Sequence, residues 1–450
     1  MKFDKIVDAA RREKFDIGVV GFWYADNYGS TLTYFAFDYM LKSMGYSTLF
    51  IRKAYAGKRS QDNLSSPAFL FAERNHYIIS MSRHYTKMTE LNDKCDTFIT
   101  GSDQLWNYKF PYYTEDFYLD FVDDNKKKIA YATSFGHNYK KIPIDVRLKQ
   151  KFNLENFDKI SLREETSIEY AKETYDLEVD YALDPVFMIP VEEYMSLAKK
   201  STVHFTEKYL VAYILDLNKE KADIVRQIAK ELGVSIAVFT DLGKGEKGIE
   251  SAKSLFSQAC VVEDTTPENF LYAFENSAYV VTDSFHGACF AYIFQKPFNV
   301  FYNAARGIAR FESLNMLLDG VVDKRRVFEN STDISAHMLT DIDYTVVNVK
   351  ISNLRKASYK WLKDAIEAPK KSEPTLYDIL KRELYKKDER ISQLKYRLDE
   401  IEKILGFNSR DANNNIENNS IVQKGFTYLK EHGLKETTKK VNQYLSDKNS

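Results

Sequence analysis

The sequence predicts an α/β fold with two lobes, each containing a parallel sheet covered by helices on both faces. Short apolar runs alternate with helical stretches along residues 16–190, and a second series of the same kind begins near Lys208. The runs are apolar at consecutive positions, which is typical of strands buried on both faces of a parallel sheet. Two such series in tandem predict two Rossmann-like lobes with a ligand cleft between them.

The apolar runs place the individual strands. In the first lobe we predict strands over residues 17–22, 47–52, 97–100, 128–133 and 159–161, and in the second over 209–215, 235–240, 278–282 and 298–302. Helices are predicted over 30–44, 219–232 and 287–294. Thr266 before Pro267 is typical of an N-cap followed by the first helical residue, so another helix begins there.

Six segments follow from this pass along the chain. We predict a first lobe over residues 1–195, a second lobe over 196–343, and a helix over 344–369 that crosses back to the first lobe. Leu and Ile residues at alternating spacings of four and three predict a coiled coil over 374–406, interrupted at Lys387. The Asn-rich stretch 407–420 predicts a flexible linker. Residues 421–450 have a Lys-biased amphipathic pattern, typical of a helix that binds a membrane surface or a partner.

Charge and hydropathy exclude several classes of protein. The chain has 64 Lys and Arg residues against 65 Asp and Glu, which argues against nucleic acid as a partner. No apolar run is long enough to span a bilayer, and the charged N-terminus lacks a signal-peptide pattern. We therefore expect a cytoplasmic protein, with attachment to the inner face of the membrane through 421–450 as a further option. Self-association through 374–406 is the expected oligomeric contact.

Five polar motifs stand where predicted strands end. They are Asp26-Asn27-Tyr28-Gly29-Ser30, Gly101-Ser102-Asp103-Gln104-Leu105-Trp106, Thr133-Ser134-Phe135-Gly136, Ser161-Leu162-Arg163-Glu164-Glu165 and Thr282-Asp283-Ser284-Phe285-His286-Gly287. A single polar loop is explained by the needs of a turn. Five in the same structural position favour a ligand cleft, because open α/β sheets bind ligands at the carboxyl ends of their strands.

The order of these motifs, together with Leu183-Asp184-Pro185-Val186, resembles the polysaccharide pyruvyl transferase family over residues 16–330. The resemblance implies a glycosyltransferase-B-like arrangement of the two lobes. It implies transfer of pyruvate from phosphoenolpyruvate, as a co-substrate, to two hydroxyls of one sugar, giving a cyclic ketal and phosphate. It also implies that the acceptor is a cell-surface glycan such as a capsule or exopolysaccharide intermediate, often lipid-linked.

Phosphoenolpyruvate carries a carboxylate and a phosphate, so its site requires fixed cations or helix N-termini. Arg163, between a strand and a helix, can grip such a group bidentately, and the resemblance implies the same role. The alternative is a surface ion pair with Glu164 or Glu165. The predicted donor-binding set is Arg163, Ser284, His286, Gly287, Arg306 and Arg310. The last two arginines are four residues apart, so they share a face if that stretch is helical, and that face is either directed at the phosphate or solvated.

His286 is the predicted general acid. Ketal formation requires a proton on the methylene carbon, and histidine, with an ordinary pKa of ~6.5, is suited to deliver it. The resemblance also implies an acid at this motif. Asp283 has two equally supported roles, which are to orient the imidazole or to cap the following helix. Asp103 is a candidate base for the hydroxyl protons.

Amide, hydroxyl and carboxylate groups in the first lobe fit an acceptor sugar. The predicted acceptor-binding set is Asn27, Tyr28, Gly29, Ser102, Asp103, Gln104, Trp106 and Ser134. Trp106 either stacks on a sugar ring or fills the core. We predict no bound metal, and no nicotinamide cofactor because Gly29 is isolated.

Two further functions stay open on the sequence alone. The same two-lobed fold serves nucleotide-sugar glycosyltransferases, and fold does not fix function. The predicted coiled coil and basic tail are also consistent with a non-catalytic scaffold in a glycan-synthesis complex.

Overall fold

The computed structural model describes residues 13–52, 64–80, 87–110, 113–136, 142–301, 308–317, 327–328 and 342–371. The chain divides into two compact units, Met1–Ser372 and Glu373–Ser450. The coiled coil predicted over 374–406, the linker over 407–420 and the tail helix over 421–450 all lie outside the described residues. The fold below is that of the first unit.

A seven-stranded sheet forms the centre of the first lobe, and all its neighbouring strands are parallel. Its strands are β1 (Phe15–Val20), β2 (Thr48–Ile51), β3 (Ile79–Ser80), β4 (Cys95–Thr100), β5 (Lys127–Thr133), β6 (Lys159–Leu162) and β7 (Asp180–Tyr181). Their spatial order is β3-β2-β1-β4-β5-β6-β7. The order reverses between β1 and β4, so the loops after these two strands diverge and leave a crevice at the carboxyl edge.

The second lobe repeats this order in a sheet of six parallel strands, β10-β9-β8-β11-β12-β13. Its strands are β8 (Tyr209–Tyr213), β9 (Ser235–Phe239), β10 (Cys260–Val261), β11 (Tyr279–Thr282), β12 (Phe298–Phe301) and β13 (Val327–Phe328). The reversal here lies between β8 and β11. Two parallel sheets with the Rossmann strand order confirm the fold class predicted from the sequence.

Helices connect the strands of both lobes. They are α1 (Tyr28–Ser43), α2 (Pro67–Arg74), α3 (Ile144–Leu154), α4 (Glu165–Tyr175), α5 (Val191–Ala198), α6 (Lys219–Leu232), α7 (Gly245–Leu255), α8 (Pro267–Asn276), α9 (Phe285–Ile293), α10 (Ile308–Leu317) and α11 (Thr345–Glu367). Asn27 caps α1, its side chain accepting a hydrogen bond from Ser30 N at 3.2 Å, and Thr266 caps α8 before Pro267. Within the described residues no helix is both long enough and apolar enough to cross a membrane.

Helix α1 lies between the lobes and contacts both α8 and α9 of the second lobe. The Tyr28 ring stacks on Phe270 of α8 with centroids 4.4 Å apart, and Arg74 donates two hydrogen bonds, at 2.9 and 3.0 Å, to the Glu268 carboxylate. These contacts carry the buried core across the boundary between the lobes. The carboxyl edges of the two sheets are thereby held close to each other.

Helix α11 returns from the second lobe to the first. Ser358 Oγ accepts a hydrogen bond from Leu183 N at 3.0 Å, and Arg355 Nε donates to the Phe187 carbonyl at 2.7 Å. Trp361 Nε1 donates to the Asp180 carboxylate at 2.7 Å. The segment around Asp184, which follows β7, is therefore fixed from behind by this helix.

Candidate active site

The polar segments that follow β1, β4, β5, β6 and β11 meet where α1 of the first lobe faces α9 of the second. Ser30 Oγ, in the first turn of α1, donates to Asp103 Oδ2 at 2.9 Å. One helical turn further, Thr33 Oγ1 lies 3.1 Å from His286 Nε2. Four of the five polar motifs thus share one network with Asp184, and Ser134 of the remaining motif joins it through Glu164. The motifs that were predicted to line a ligand cleft therefore lie together at this junction.

Arg163 is the centre of the network. Its guanidinium donates from Nη1 to Asp184 Oδ2 at 2.6 Å and to Ser102 Oγ at 3.2 Å. Nη2 donates to Asp103 Oδ1, and Nε to Glu164 Oε1, both at 3.3 Å. The side chain is only 1% exposed. The sequence allowed a surface ion pair with Glu164 or Glu165, and that alternative is wrong because the pair with Glu164 is fully buried.

Charge pairing keeps this buried network ionised. Burial acts to lower the pKa of Arg163, but the carboxylates of Asp184, Glu164 and Asp103 outweigh it and raise that pKa further. Burial also acts to raise the pKa of Asp184, yet the contact with His286 and the charge of Arg163 hold it well below the ordinary range. A buried guanidinium surrounded by carboxylates is strongly held in place, because removing either partner leaves an uncompensated buried charge.

His286 lies in the first turn of α9, and Ser284 is the N-cap of that helix, its Oγ accepting from Gly287 N at 3.3 Å. Besides Thr33, the imidazole Nε2 lies 3.6 Å from Asp184 Oδ2. A Cβ at Gly29 would stand 2.2 Å from His286 Nδ1. Gly29 therefore makes room for the imidazole, which is a different role from the acceptor contact predicted for it.

Asp283 does not cap α9, so that predicted role is wrong. Its Oδ1 accepts from Leu215 N at 2.5 Å, and its Oδ2 accepts from Asp216 N at 3.0 Å and from Lys221 Nζ at 2.7 Å. Both oxygens are engaged by the β8–α6 loop and the first turn of α6. The carboxylate beside the imidazole is that of Asp184, which takes the position that the sequence analysis offered to Asp283.

Two aromatic residues of the predicted acceptor set belong to the core. Trp106 is fully buried, stacks on Tyr118 with centroids 5.5 Å apart and planes at 7°, and donates from Nε1 to the Phe117 carbonyl at 3.2 Å. Tyr28 is fully buried in its stack on Phe270. Stacking on a sugar ring is therefore wrong for Trp106, and its core alternative is confirmed. Tyr28 holds the lobes together.

Ser134 and Ser102 donate hydrogen bonds to two carboxylates of the network. Ser134 Oγ donates to Glu164 Oε1 at 2.7 Å and accepts from Gly136 N at 2.8 Å. Ser102 Oγ donates to Asp184 Oδ2 at 3.0 Å. Neither serine is exposed. Both hydroxyls fix the carboxylates around the guanidinium, and neither reaches the opening of the crevice in this structure.

Asn27, Asp103 and Gln104 are the members of the acceptor set that solvent reaches. Asn27 Nδ2 donates to Asp241 Oδ1 of the second lobe at 3.0 Å. The Asp103 side chain is 13% exposed, and its backbone φ of 110° lies in a region that non-glycine residues rarely adopt. Such strain persists only where surrounding contacts impose it, and it clusters at functional sites. These three residues line the opening of the crevice.

The second pair of predicted donor ligands is not tested by the structure. Arg306 lies outside the described residues, and Arg310 belongs to α10 but its side chain is also outside them. Their role stays a prediction. Within the described residues no group of His, Cys, Asp and Glu side chains is arranged to hold a metal ion.

Sequence reasoning missed Thr33 and gave Asp184 no chemical role. Thr33 is four residues after Gly29, so the two share a face of α1, and that spacing was a signal that could have been used. Asp184 is 21 residues from Arg163 along the chain, and only the strand order brings them together. No local sequence pattern predicts the contact between Arg163 and Asp184.

Two parallel Rossmann-like sheets, with polar strand ends gathered where one lobe meets the other, define a two-lobed α/β protein. The sequence profile of the polysaccharide pyruvyl transferase family matches residues 27–304. This range covers more than half of the chain and contains Thr33, Asp103, Arg163, Asp184 and His286 of the network described above. The chain belongs to the polysaccharide pyruvyl transferase family.

No curated protein matches the chain. Among solved structures, it is similar to the wall teichoic acid polymerase TagF, at 12% identity and a TM-score of 0.38, covering 87% of this chain and 92% of that one. It is similar to UDP-GlcNAc 2-epimerase from Neisseria meningitidis, at 10% identity and a TM-score of 0.45, covering 79% and 94%. It is also similar to a glycosyltransferase from Rickettsia africae, at 10% identity and a TM-score of 0.42, covering 83% and 97%.

Proposed function

We propose that this chain transfers pyruvate from phosphoenolpyruvate to two hydroxyls of one sugar in a polysaccharide intermediate, forming a cyclic ketal and releasing phosphate. Family membership supports the transfer of a pyruvyl group. The observation that carries the proposal is the position of His286. Its imidazole lies in the first turn of α9, 3.1 Å from the Thr33 hydroxyl and 3.6 Å from the Asp184 carboxylate.

The reaction requires one proton to be delivered and two to be accepted. A proton added to the methylene carbon of the donor makes it a methyl group and leaves the neighbouring carbon electron-poor. The first sugar hydroxyl adds to that carbon and loses its proton, and the carbon–oxygen bond to phosphate breaks. The second hydroxyl then adds and loses its proton. In the balance, one hydroxyl proton ends on the methyl group and the other on phosphate.

His286 is the proposed acid, and Asp184 positions it. Because its pKa is held well below the ordinary range, Asp184 is an ionised hydrogen-bond acceptor at neutral pH. An ionised carboxylate fixes the imidazole and compensates the positive charge that the ring carries while it holds a proton to deliver. Thr33 contacts the same ring nitrogen from α1. The proposed acid is thus oriented by two residues of the opposite lobe.

Donor binding at Arg163 needs an exchange of partners within this proposal. The guanidinium already faces three carboxylates, so an added anion is repelled unless one of them gives way. Asp103 is the most exposed of the three. We propose that the donor carboxylate replaces Asp103 at Nη2, while the N-terminal end of α9, which Ser284 caps, faces the phosphate.

A displaced Asp103 becomes available as a base. At the opening of the crevice it stands with Asn27 and Gln104, which offer amide groups to sugar hydroxyls. A carboxylate released from an arginine can accept a hydroxyl proton, which is the role predicted for it from the sequence. The proposal further includes a cytoplasmic location and a lipid-linked acceptor. Self-association through 374–406, and membrane or partner binding through 421–450, remain predictions.

The deciding experiment measures phosphate release from phosphoenolpyruvate with a synthetic galactoside acceptor, and mass spectrometry of the sugar for a pyruvyl ketal. His286→Gln keeps a hydrogen-bonding side chain of similar size but cannot deliver the proton. We expect turnover to fall by about 10²–10⁴-fold while calorimetric binding of phosphoenolpyruvate is retained.

The matched control is His204→Gln, which changes an exposed histidine in the second lobe and should leave turnover unchanged. Normal turnover in His286→Gln would remove this residue as the acid. A wild-type protein that releases no phosphate, but releases a nucleoside diphosphate from a sugar nucleotide, would overturn the proposal in favour of a glycosyltransferase. An intact protein with neither activity would favour a non-catalytic scaffold.

A further inference from the structure

A cavity of about 370 Å³ lies at the carboxyl ends of β8 and β9, outside the Arg163 network. One side is apolar, formed by residues such as Ile214 and Phe239. The other side is polar and is contributed by the end of β9 and by α7, through Thr240, Lys244, Lys247 and Ser251. Volumes of this size are typical of small-molecule sites, and an apolar floor with a few polar groups is their usual lining.

Thr240 is the first sign that this cavity binds a ligand. The residue is 6% exposed, lines the cavity, and its hydroxyl has no hydrogen-bond partner among the described residues. Buried hydroxyls in folded proteins are nearly always paired, so an unpaired one requires an explanation. A ligand oxygen in the cavity would supply the partner.

The start of α7 is the second sign. Lys244 is its N-cap residue and Lys247 lies in its first turn. Positive side chains there are disfavoured by the helix dipole, since the N-terminus already carries partial positive charge, and Glu246 offsets only part of it. Lys247 is exposed and makes no ion pair within the described part of the chain. The helix N-terminus and two ammonium groups, of which that of Lys244 also donates to the Leu215 carbonyl, surround one cavity, and such groups bind a phosphate.

The glycines of this segment were overlooked in the sequence. Gly243-Lys244-Gly245-Glu246-Lys247-Gly248 has the spacing of a phosphate-binding loop and lies between β9 and α7. A Cβ at Gly248 would stand 2.6 Å from Lys244 Cβ and 3.5 Å from Thr240 Cβ, so this glycine allows α7 to lie against the end of β9. The loop follows the second strand of its lobe rather than the first, which differs from the dinucleotide-binding arrangement.

The cavity wall continues into the crevice. Asp241, next to Thr240, accepts a hydrogen bond from Asn27 Nδ2 at 3.0 Å. A Cβ at Gly243 would stand 3.1 Å from the Asp26 carbonyl oxygen, so this loop touches the segment that follows β1. A molecule anchored in the cavity by one end can therefore extend past Asn27 towards the proposed reaction site.

We infer that the cavity formed by Thr240, Lys244, Lys247 and Ser251 binds the diphosphate group that carries the acceptor sugar. The N–H groups and ammonium groups of α7 meet the phosphates, and the Thr240 hydroxyl donates to a phosphate oxygen. The apolar floor takes the group on the far side of the diphosphate, which is either a nucleobase or the first isoprene units of a lipid. The diphosphate site itself is independent of the proposed function. Only the identity of the attached group, the acceptor sugar, rests on that function.

Calorimetric titration of the full chain with inorganic pyrophosphate, uridine diphosphate and farnesyl diphosphate tests the inference. Wild-type protein should bind at least one of the three saturably. Thr240→Val keeps the shape of the side chain and should weaken binding about tenfold, and Lys247→Ala should weaken it about fivefold. Lys253→Ala removes an exposed lysine further along α7, outside the cavity, and should change nothing. Thermal melting confirms that each variant is folded.

The three probes separate the two sources of the diphosphate. Tighter binding of uridine diphosphate than of pyrophosphate assigns the floor to a nucleobase, and tighter binding of farnesyl diphosphate assigns it to a lipid. Saturable binding of no probe, or equal affinities in wild type and Thr240→Val, would overturn the site. Diphosphate binding that Thr240→Val weakens, in a protein that forms no ketal, would keep the site and reject the proposed function. Ketal formation with unchanged kinetics in Thr240→Val would keep the proposed function and reject the diphosphate site.

Discussion

The carboxyl edges of the two sheets differ in what occupies them: paired charged side chains in the first lobe and a cavity in the second. In the first lobe, Arg163 meets Asp184, Asp103 and Glu164 at hydrogen-bonding distance, and the cluster is almost closed to solvent. In the second lobe, the end of β9 faces a cavity of about 370 Å³, where a buried threonine hydroxyl has no partner among the described residues. The strand order is the same, yet one edge is filled by its own side chains and the other is not.

This difference suggests that the Arg163 cluster positions side chains and that the cavity at the end of β9 binds a ligand. A network in which every charge is paired is rigid, because each member fixes its neighbours. Such a network suits the placement of a reactive group such as His286. The cavity edge instead has a buried Thr240 hydroxyl without a partner among the described residues, a Lys247 ammonium group without an ion pair among them, and a Lys244 ammonium group that donates to the Leu215 carbonyl. Under the inference above this edge binds a ligand, whereas the first-lobe cluster orients its own side chains.

The largest expected effect comes from removing the cation of the closed cluster. Arg163→Ala leaves buried carboxylates without compensation, and the free energy of unfolding should fall by about 3–5 kcal/mol. Arg163→Lys keeps the charge but loses the fork, so it should cost less and should also weaken phosphoenolpyruvate binding less than Arg163→Ala. Urea denaturation and calorimetry measure the two quantities.

The control for this comparison is Arg226→Ala, which removes an exposed arginine paired with the exposed Asp223. The exposed pair contributes little, and Arg226 also donates to the Leu255 carbonyl and lies over the Phe256 ring, so its loss should lower stability by less than about 1 kcal/mol. Equal stability of Arg163→Ala and Arg226→Ala would mean that the cluster is not a preorganised charge network.

An intermediate effect on the free energy of unfolding is expected as the pH is lowered. The folded-state pKa of Asp184 lies below its value in the unfolded chain, so its contribution to stability is present above the unfolded pKa of ~3.9 and is lost as the pH falls through the folded pKa. Asp184→Asn removes this proton uptake, and its stability should fall less steeply with acid than that of the wild type. Urea unfolding across the acid range measures both slopes. Parallel slopes would show that Asp184 titrates normally.

The smallest expected change in the free energy of unfolding has opposite signs at the second-lobe cavity and at the Arg163 network. Thr240→Val removes a buried hydroxyl that lacks a partner, so the ligand-free protein should become more stable by about 1 kcal/mol. Ser134→Ala removes a hydroxyl that donates to Glu164 and accepts from Gly136 N, so stability should fall by about 1–2 kcal/mol. Thermal and urea unfolding without added ligand give both values. A loss of stability in both variants would erase the distinction between closed and open edges.

The two-lobed fold could be predicted because its central strands are long apolar runs. The strands that the sequence analysis missed, β3, β7, β10 and β13, are two residues each and lie at or near sheet edges. Two residues have no periodicity to detect, and their pairing is decided by tertiary contacts. Helix α7 was missed as well, since Gly245 and Gly248 in its first turns lower the helical signal, although Gly248 allows the close contact with the end of β9.

The location of a candidate site residue was predictable where its position just after a strand determines where it lies. Arg163 and His286 follow β6 and β11, and both lie in the crevice as that position predicts. Trp106 shows the limit, because an indole that stacks on a sugar and an indole that fills a core are the same residue, and burial alone separates them. The role of Asp184 depends on which element stands opposite it, and that information is absent from its own neighbourhood in the chain.

The contact between His286 and Asp184 joins two parts of the chain that belong to different lobes. The imidazole is carried by α9, whereas the carboxylate, Thr33 and Gly29 are all carried by the first lobe. A rotation that separates the lobes by even an ångström or two would take the proposed acid away from the group that orients it. If His286 is the acid, catalytic competence and lobe closure are one event, so an open protein that admits its substrates would be inactive and would not transfer the donor to water.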